Sequence, residues 1–264
     1  MKWSGEAENA IRKVPFFVRK KVRARVEKEA AAEGRKGVTT TEVNATRARF
    51  LSGMDSEIKG FQVDNCFGQS GCPNKAVSVE LLLPKIEQLL EKEDILGFLR
   101  QNVKGDLKFH HEFRISLAEC PNACSQPQIK DIGIIGSAKP KIADEPCSLC
   151  EACIEACRED AIIVDKEKEA PAIDFGLCLG CGKCIESCPT GTICEGEKGF
   201  RVQLGGKLGR HPKLASELAG TFSEDEVLKI VKQCISFYKK NSKAGKRFAD
   251  IYKGHKSPDF LKLN

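Results

Sequence analysis

Over residues 109–117 apolar and polar positions alternate. Phe109, His111, Phe113, Ile115 and Leu117 fall on one side, and His110, Glu112, Arg114 and Ser116 on the other. A period of two predicts a strand with one buried face. Residues 132–135 and 200–204 read as two further strands. The helical period dominates elsewhere. Val14, Phe17, Val18, Val22 and Val26 recur near helical spacing across residues 6–33, with Arg and Lys between them and Gly34 as the stop. Thr39 and Glu42 form a capping box that opens a short helix through Phe50. Pro84 ahead of Ile86, Leu89 and Leu90 suits the first turn of another. Ser223 and Glu226 make a second capping box. Behind it Val227, Ile230, Val231, Cys234, Ile235 and Tyr238 form the buried stripe of an amphipathic helix. The expected class is α+β.

Composition narrows the functions. With 264 residues, 41% hydrophobic and 30% charged, the chain can build one large domain or two to three small ones, and it is not disordered throughout. It has no apolar run of about 18 residues, so no membrane span is expected. Met1-Lys2-Trp3-Ser4-Gly5 runs straight into polar sequence, so no secretory leader is expected either. Fourteen cysteines in a chain that is not exported read as metal ligands rather than disulfides. The same reasoning places the protein in a reducing, anaerobic cytoplasm. Charge is uneven: residues 1–50 carry 13 Lys/Arg against 6 acids, residues 145–200 carry 5 against 12, and residues 201–264 carry 14 against 6. A basic end is compatible with nucleic acid, but aromatic residues are only 6% and form no stacking platform, so no nucleic-acid partner is expected.

Residues 143–196 hold nine of the cysteines and little core material. Cys147-x2-Cys150-x2-Cys153-x3-Cys157 is repeated 31 residues later as Cys178-x2-Cys181-x2-Cys184-x3-Cys188-Pro189. Such spacing wraps three thiolates around one cubane and sends the fourth to the other cluster. One site would use Cys147, Cys150, Cys153 and Cys188, and the second Cys178, Cys181, Cys184 and Cys157. Zinc is the alternative, since it also accepts four thiolates. The segment resembles bacterial-type two-cluster ferredoxins, which implies an electron carrier. Arg158 stands where that family usually has proline.

Cys66-x5-Cys72-Pro73 and Cys120-Pro121-Asn122-Ala123-Cys124 supply four more thiolates in two pairs. The spacing indicates a third cluster, with zinc or buried free thiols as alternatives. Cys-Pro-Asn-x-Cys, followed by Gln128-Ile129-Lys130-Asp131-Ile132-Gly133 and later by Val202-Gln203-Leu204-Gly205-Gly206-Lys207, resembles the cluster-binding half of sirohaem-dependent sulfite and nitrite reductases. The resemblance implies four parts: a basic helical module over 1–55, the reductase-like domain over 56–142 and 197–264, and the ferredoxin unit inserted over 143–196. It also implies a third [4Fe–4S] cluster on Cys66, Cys72, Cys120 and Cys124, with Cys124 bridging to a sirohaem where sulfite or a similar oxyanion is reduced.

The chain departs from that family in two respects. A full-length member has two related halves around the sirohaem, whereas this chain has one, the cluster-bearing half, with only about 60 residues before it, and Ser116 stands where the family tends to place an Arg, with Arg114 two residues further back. Three outcomes stay open: a second copy of the chain completes the sirohaem site, a partner subunit does, or the chain is a haem-free multi-cluster carrier that docks on a redox enzyme. Trp3-Ser4-x-Glu6-Ala7-Glu8 with Val14-Pro15-Phe16-Phe17-Val18-Arg19 resembles the small helical module of a light-independent protochlorophyllide reductase subunit. That likeness is compatible with a tetrapyrrole nearby or with a docking role.

Weaker signals are read plainly. His110 and His111 are structural, Cys234 is a core residue, and Cys194 lacks partners at ligand spacing. Lys139 and Lys141 could face an anion. Gly205-Gly206-x-x-Gly209 lacks the order of a dinucleotide loop. With no flavin or nicotinamide fingerprint, electrons must come from another protein.

Overall fold

The computed structural model describes residues 1–254 and 258–262, and of residues 51–56 and Gln69 the backbone alone. These fall into two units, Met1–Lys59 with Gly105–Phe109, and Gly60–Lys104 with His110–Asn264.

The first unit runs β1 (Lys2–Trp3), α1 (Gly5–Arg12), α2 (Phe16–Ala32), β2 (Gly37–Val38) and α3 (Thr40–Glu57), with β1 and β2 paired in parallel. The single helix expected over 6–33 is two. Pro15 has no N–H to give to the preceding turn, and its ψ of 136° redirects the chain. Arg19 ties this corner by donating to the carbonyls of Arg12 and Val14, both at 2.9 Å. Of the apolar positions read along this stretch, Val22 and Val26 pack with Ala7, Ala30, Val38, Trp3 and Val43, whereas Phe17 is 72% exposed. The Thr39 capping box forms as expected, Thr39 N–H donating to the Glu42 carboxylate at 2.8 Å. The helix it opens passes Phe50 and continues to Glu57.

The second unit contains β3 (Phe61–Asn65), α4 (Leu82–Lys92), α5 (Ile95–Asn102), β4 (Phe113–Ala118), β5 (Ile132–Ile142), α6 (Ala152–Ala156), β6 (Ile162–Asp165), β7 (Ala170–Ile173), α7 (Lys183–Ser187), β8 (Ile193–Leu204), β9 (Ser216–Glu217), α8 (Glu224–Asn241) and α9 (Phe248–Ile251). Five strands form one sheet in the order β3-β4-β5-β8-β9, parallel across the first three and antiparallel beyond. Helices and a mixed sheet make the fold α+β.

β4 lies inside the sheet, and this changes the reading of its alternation. The strand starts at Phe113, and both of its faces are covered: Phe113, Ile115, Ser116, Leu117 and Ala118 are all buried. Residues 109–111 form a 3-10 turn ahead of it, so His110 and His111 stand off the strand, one exposed and one half-buried. α8 buries the six residues its stripe predicted, and its Ser223–Glu226 capping box closes. Tyr238 from α8 and Phe248 from α9 meet Phe113 with ring centroids 5.3 and 5.6 Å apart, joining helices to sheet.

β5 and β8 are longer than the segments 132–135 and 200–204 that marked them. They form one antiparallel hairpin from Ile132↔Leu204 to Ile142↔Ile193. Both cysteine runs lie in its connection, residues 143–192, together with the small β6–β7 hairpin. A register shift between Ala138 and Pro140 interrupts the hairpin where proline cannot donate to the ladder. Ala138 N–H donates instead to Gly180 O at 2.8 Å, inside the second cysteine run. The irregularity thus docks the insertion on the sheet.

Candidate metal centres

The cysteine runs fold as two copies of one device. In the first, Leu149 (φ 55°) and Glu151 (φ 58°) are left-handed. In the second, Gly180 (φ 70°) and Gly182 (φ 76°) are. Alternating the hand of the backbone lets three closely spaced cysteines turn inward, and each run then enters a five-residue helix, α6 or α7. Cys153 and Cys184 are buried in those helices.

Cys147, Cys150, Cys153 and Cys188 line one hollow. Cys157, Cys178, Cys181 and Cys184 line another. The fourth cysteine of each run therefore lies with the first three of the other run. Burial pushes the Cys184 thiol up to about 12, and Cys178, Cys181 and Cys157 add to the rise because their charges repel its own. Burial likewise raises Cys153, with Cys188 and Cys147 contributing. Cys188 goes the other way: burial raises it, but N–H donation from Ile193 and the Thr190 hydroxyl outweigh that and lower it.

The third group grows from two neighbouring strand ends. β3 and β4 run parallel with Asn65 opposite Leu117, so Cys66 and Cys120 leave the sheet side by side at its carboxyl edge. Cys66 N–H donates to Leu117 O at 3.0 Å, and the chain returns to Cys72 through a left-handed Gly71. The Cys120–Cys124 loop turns through Ala123 (φ 51°). It is pinned to β4 by Ser125 Oγ donating to Leu117 O (2.7 Å) and Ser116 Oγ donating to Ser125 O (2.8 Å). Burial raises the Cys120 thiol, and the charges of Cys72, Cys66 and Cys124 add to the rise. Cys124 is exposed. Cys120 and Cys181, from the third and second groups, line one shared cleft together with Asn122 and Leu179.

The donor sets suit iron–sulfur clusters. All twelve positions are thiols, and backbone N–H groups point at sulfur: Leu149 to Cys147 and Ala161 to Cys157 at 3.4 Å, Ile193 to Cys188 and Glu119 to Cys66 at 3.3 Å. Such bonds stabilise thiolate and tune cluster potential. Among the described residues no three His, Cys, Asp or Glu side chains are arranged to hold a metal ion. Eight of the twelve line two hollows, and Cys120 of the third group lines the shared cleft.

Other residues singled out in the sequence lie elsewhere. Cys234 is fully buried on α8, and Cys194 sits on β8 opposite Lys141, lining neither hollow. Lys139 meets Glu197 at 2.9 Å. Gly206 lets the backbone approach Gln128 O, which would lie 2.4 Å from a Cβ there. Sequence reasoning missed Glu119 beside Cys120 and the Arg201 guanidinium, which reaches Leu179 O at 3.2 Å while pairing with Glu217. Neither has a spacing signal, because each acts on distant backbone.

Residues 62–255 match the nitrite and sulphite reductase 4Fe-4S domain, and residues 3–47 match the proto-chlorophyllide reductase 57 kD subunit. Coenzyme F420-dependent sulfite reductase of Methanocaldococcus jannaschii is 32% identical over 159 residues, 60% of this chain and 25% of that protein. The beta subunit of dissimilatory-type sulfite reductase from Nitratidesulfovibrio vulgaris is 30% identical over 149 residues, 49% of this chain and 39% of the subunit. A crystal structure of dissimilatory sulfite reductase I superposes with a TM-score of 0.48 at 18% identity, covering 72% of this chain and 48% of that one. The chain thus spans a quarter to two-fifths of the length of these two curated relatives. With a matched model over most of its length, the chain belongs to the nitrite and sulphite reductase 4Fe-4S domain family.

Proposed function

We propose that this chain is an oxidoreductase subunit of the sulfite-reductase type that takes electrons from a donor protein and delivers them at Cys124, in a reducing cytoplasm. Cys147, Cys150, Cys153 and Cys188 would hold one [4Fe–4S] cluster, Cys157, Cys178, Cys181 and Cys184 a second, and Cys66, Cys72, Cys120 and Cys124 a third. Clusters so held supply one-electron transfer. The observation that carries the reading is the cleft shared by Cys120 and Cys181, which sets the insertion's second group next to the third. Cys150 is exposed at the other group and offers the donor a point of entry.

At the delivery end, Cys124 is the one exposed thiol of the third group, free to be shared with a sirohaem completed by a second copy of the chain or by a partner subunit. The substrate would then be a sulfite-like oxyanion. The test is extraction of tetrapyrrole from anaerobically purified protein, with and without candidate partners, alongside sulfite-dependent oxidation of a reduced viologen dye. The reading expects both signals.

One observation favours a haem-free carrier instead. Ser116 is fully buried and spends its hydroxyl on Ser125 O, so it brings no cation to a macrocycle's carboxylates. A carrier would show three clusters, no tetrapyrrole and no sulfite-dependent dye oxidation.

A further inference from the structure

Glu119 is 1% exposed, directly precedes Cys120 in sequence and touches Cys66 in space. A carboxylate so buried is costly unless it is bonded to something that needs it. Among the described residues its bonds run to one segment, the loop that carries Cys66 and Cys72. The Glu119 carbonyl accepts the N–H groups of Ala76 (2.9 Å) and Val77 (3.0 Å). Its side-chain Oε1 accepts Val79 N–H at 2.9 Å, with Lys75 Nζ 3.8 Å away. Its own N–H donates to Cys66 Sγ at 3.3 Å. Among the described residues Oε2 has no hydrogen-bond partner, and it packs on Gly68, where a Cβ would come within 1.8 Å of it.

Residues 66–79 have little regular structure of their own, a single 3-10 turn over Phe67–Ser70. What fixes the segment is therefore its attachment at both ends: Cys66 to β4, and residues 76–79 to Glu119. Cys72 lies between the two anchors. We infer that Glu119 is a positioning residue for the third site, clamping the Cys66–Cys72 loop so that its thiols face Cys120 and Cys124. Gly68 is the matching half of the clamp, because only a residue without Cβ leaves room for the carboxylate. The inference rests on the reading of Cys66, Cys72, Cys120 and Cys124 as one cluster site.

The test uses the full chain, purified anaerobically, as wild type and as E119A, E119Q and G68A. Iron per chain and the low-temperature EPR spectrum of the reduced protein are measured. Wild type is expected to hold about twelve irons, for three four-iron clusters. E119A loses the Val79 anchor, and G68A drives a methyl group into the carboxylate. Both are expected to fall to about eight irons, losing one EPR component and keeping the two of the insertion. E119Q keeps an oxygen for Val79 N–H and is expected to retain about twelve, with the third component shifted by the lost charge. E119A and G68A with full iron and unchanged spectra overturn the inference. So does E119Q falling with E119A, or loss of all iron in both E119A and G68A, which would assign Glu119 to general folding. Wild type with only about eight irons instead overturns the three-site reading itself.

Discussion

Glu151 and Gly182, 31 positions apart, hold the same left-handed backbone, φ 58° and ψ 6° in one and φ 76° and ψ −1° in the other, each as the N-cap of the short helix carrying its run's third cysteine. The repeat is thus one of conformation as well as of spacing. Only the second copy uses the residue for which that conformation is easy. A side chain in this region costs roughly 1–2 kcal/mol. Glu151 offsets it only with an exposed pair to Lys166 at 3.1 Å, which is worth little.

E151G should therefore leave cluster content unchanged and raise stability by up to about 1 kcal/mol. G182A should lower stability by about 1–2 kcal/mol, since its Cβ meets that of Ala138 at 3.2 Å on top of the backbone strain. Apparent melting temperatures of the anaerobic holoprotein check this. Equal effects of opposite sign to those stated would contradict the shared geometry.

The crossing of fourth cysteines makes a second prediction. C157S should perturb the same EPR component as C184S, although Cys157 belongs to the first run, and C188S should perturb the same component as C153S. Grouping by run instead, C157S with C153S, would contradict the two hollows.

Several of these features were legible in the sequence, and physics explains which. Capping boxes are local, so Thr39–Glu42 and Ser223–Glu226 fell where they were read, as did the six-residue stripe of α8. Patterns that depend on context did less well. The alternation over 109–117 suggests one buried face, but β4 has parallel neighbours on both sides and cover on both faces, so Ser116 is buried completely and Arg114 half-buried. The periodicity of 6–33 ran through Pro15 without showing that the chain turns there. Glu119 and Arg201 were invisible because their partners, Val79 and Leu179, lie 40 and 22 residues away.

The Arg201–Glu217 pair predicts an acid dependence. Burial pushes the Glu217 carboxyl up, but the Arg201 and Gln203 hydrogen bonds outweigh it and hold the group below its ordinary 4.5. A depressed folded value means the charged form is favoured by folding. The stabilisation is complete above the unfolded value and is lost as pH falls below about 4.5 toward the folded one. Because Arg201 also holds Leu179 O, the second cysteine run should loosen with it. E217Q should weaken the acid dependence of stability below about pH 4.5 on urea titration. An unchanged slope would mean the pair contributes nothing.

The two leftover cysteines give a control. Cys234 is fully buried and Cys194 lies opposite Lys141 on the hairpin, so a C194S/C234A variant should retain all its iron. Filling the site of Cys234 with alanine should cost about 1 kcal/mol through the small cavity left. Loss of iron from this variant would show that the division into three groups of four is wrong.

The most direct test of three thiol sites in one chain is native mass spectrometry of the anaerobically purified protein, read for iron and acid-labile sulfide. The expected mass increment is that of about twelve irons and twelve sulfides per chain, in three steps of one [4Fe–4S] cluster. An increment of single zinc ions, or of two clusters with Cys66, Cys72, Cys120 and Cys124 all open to alkylation, would contradict it.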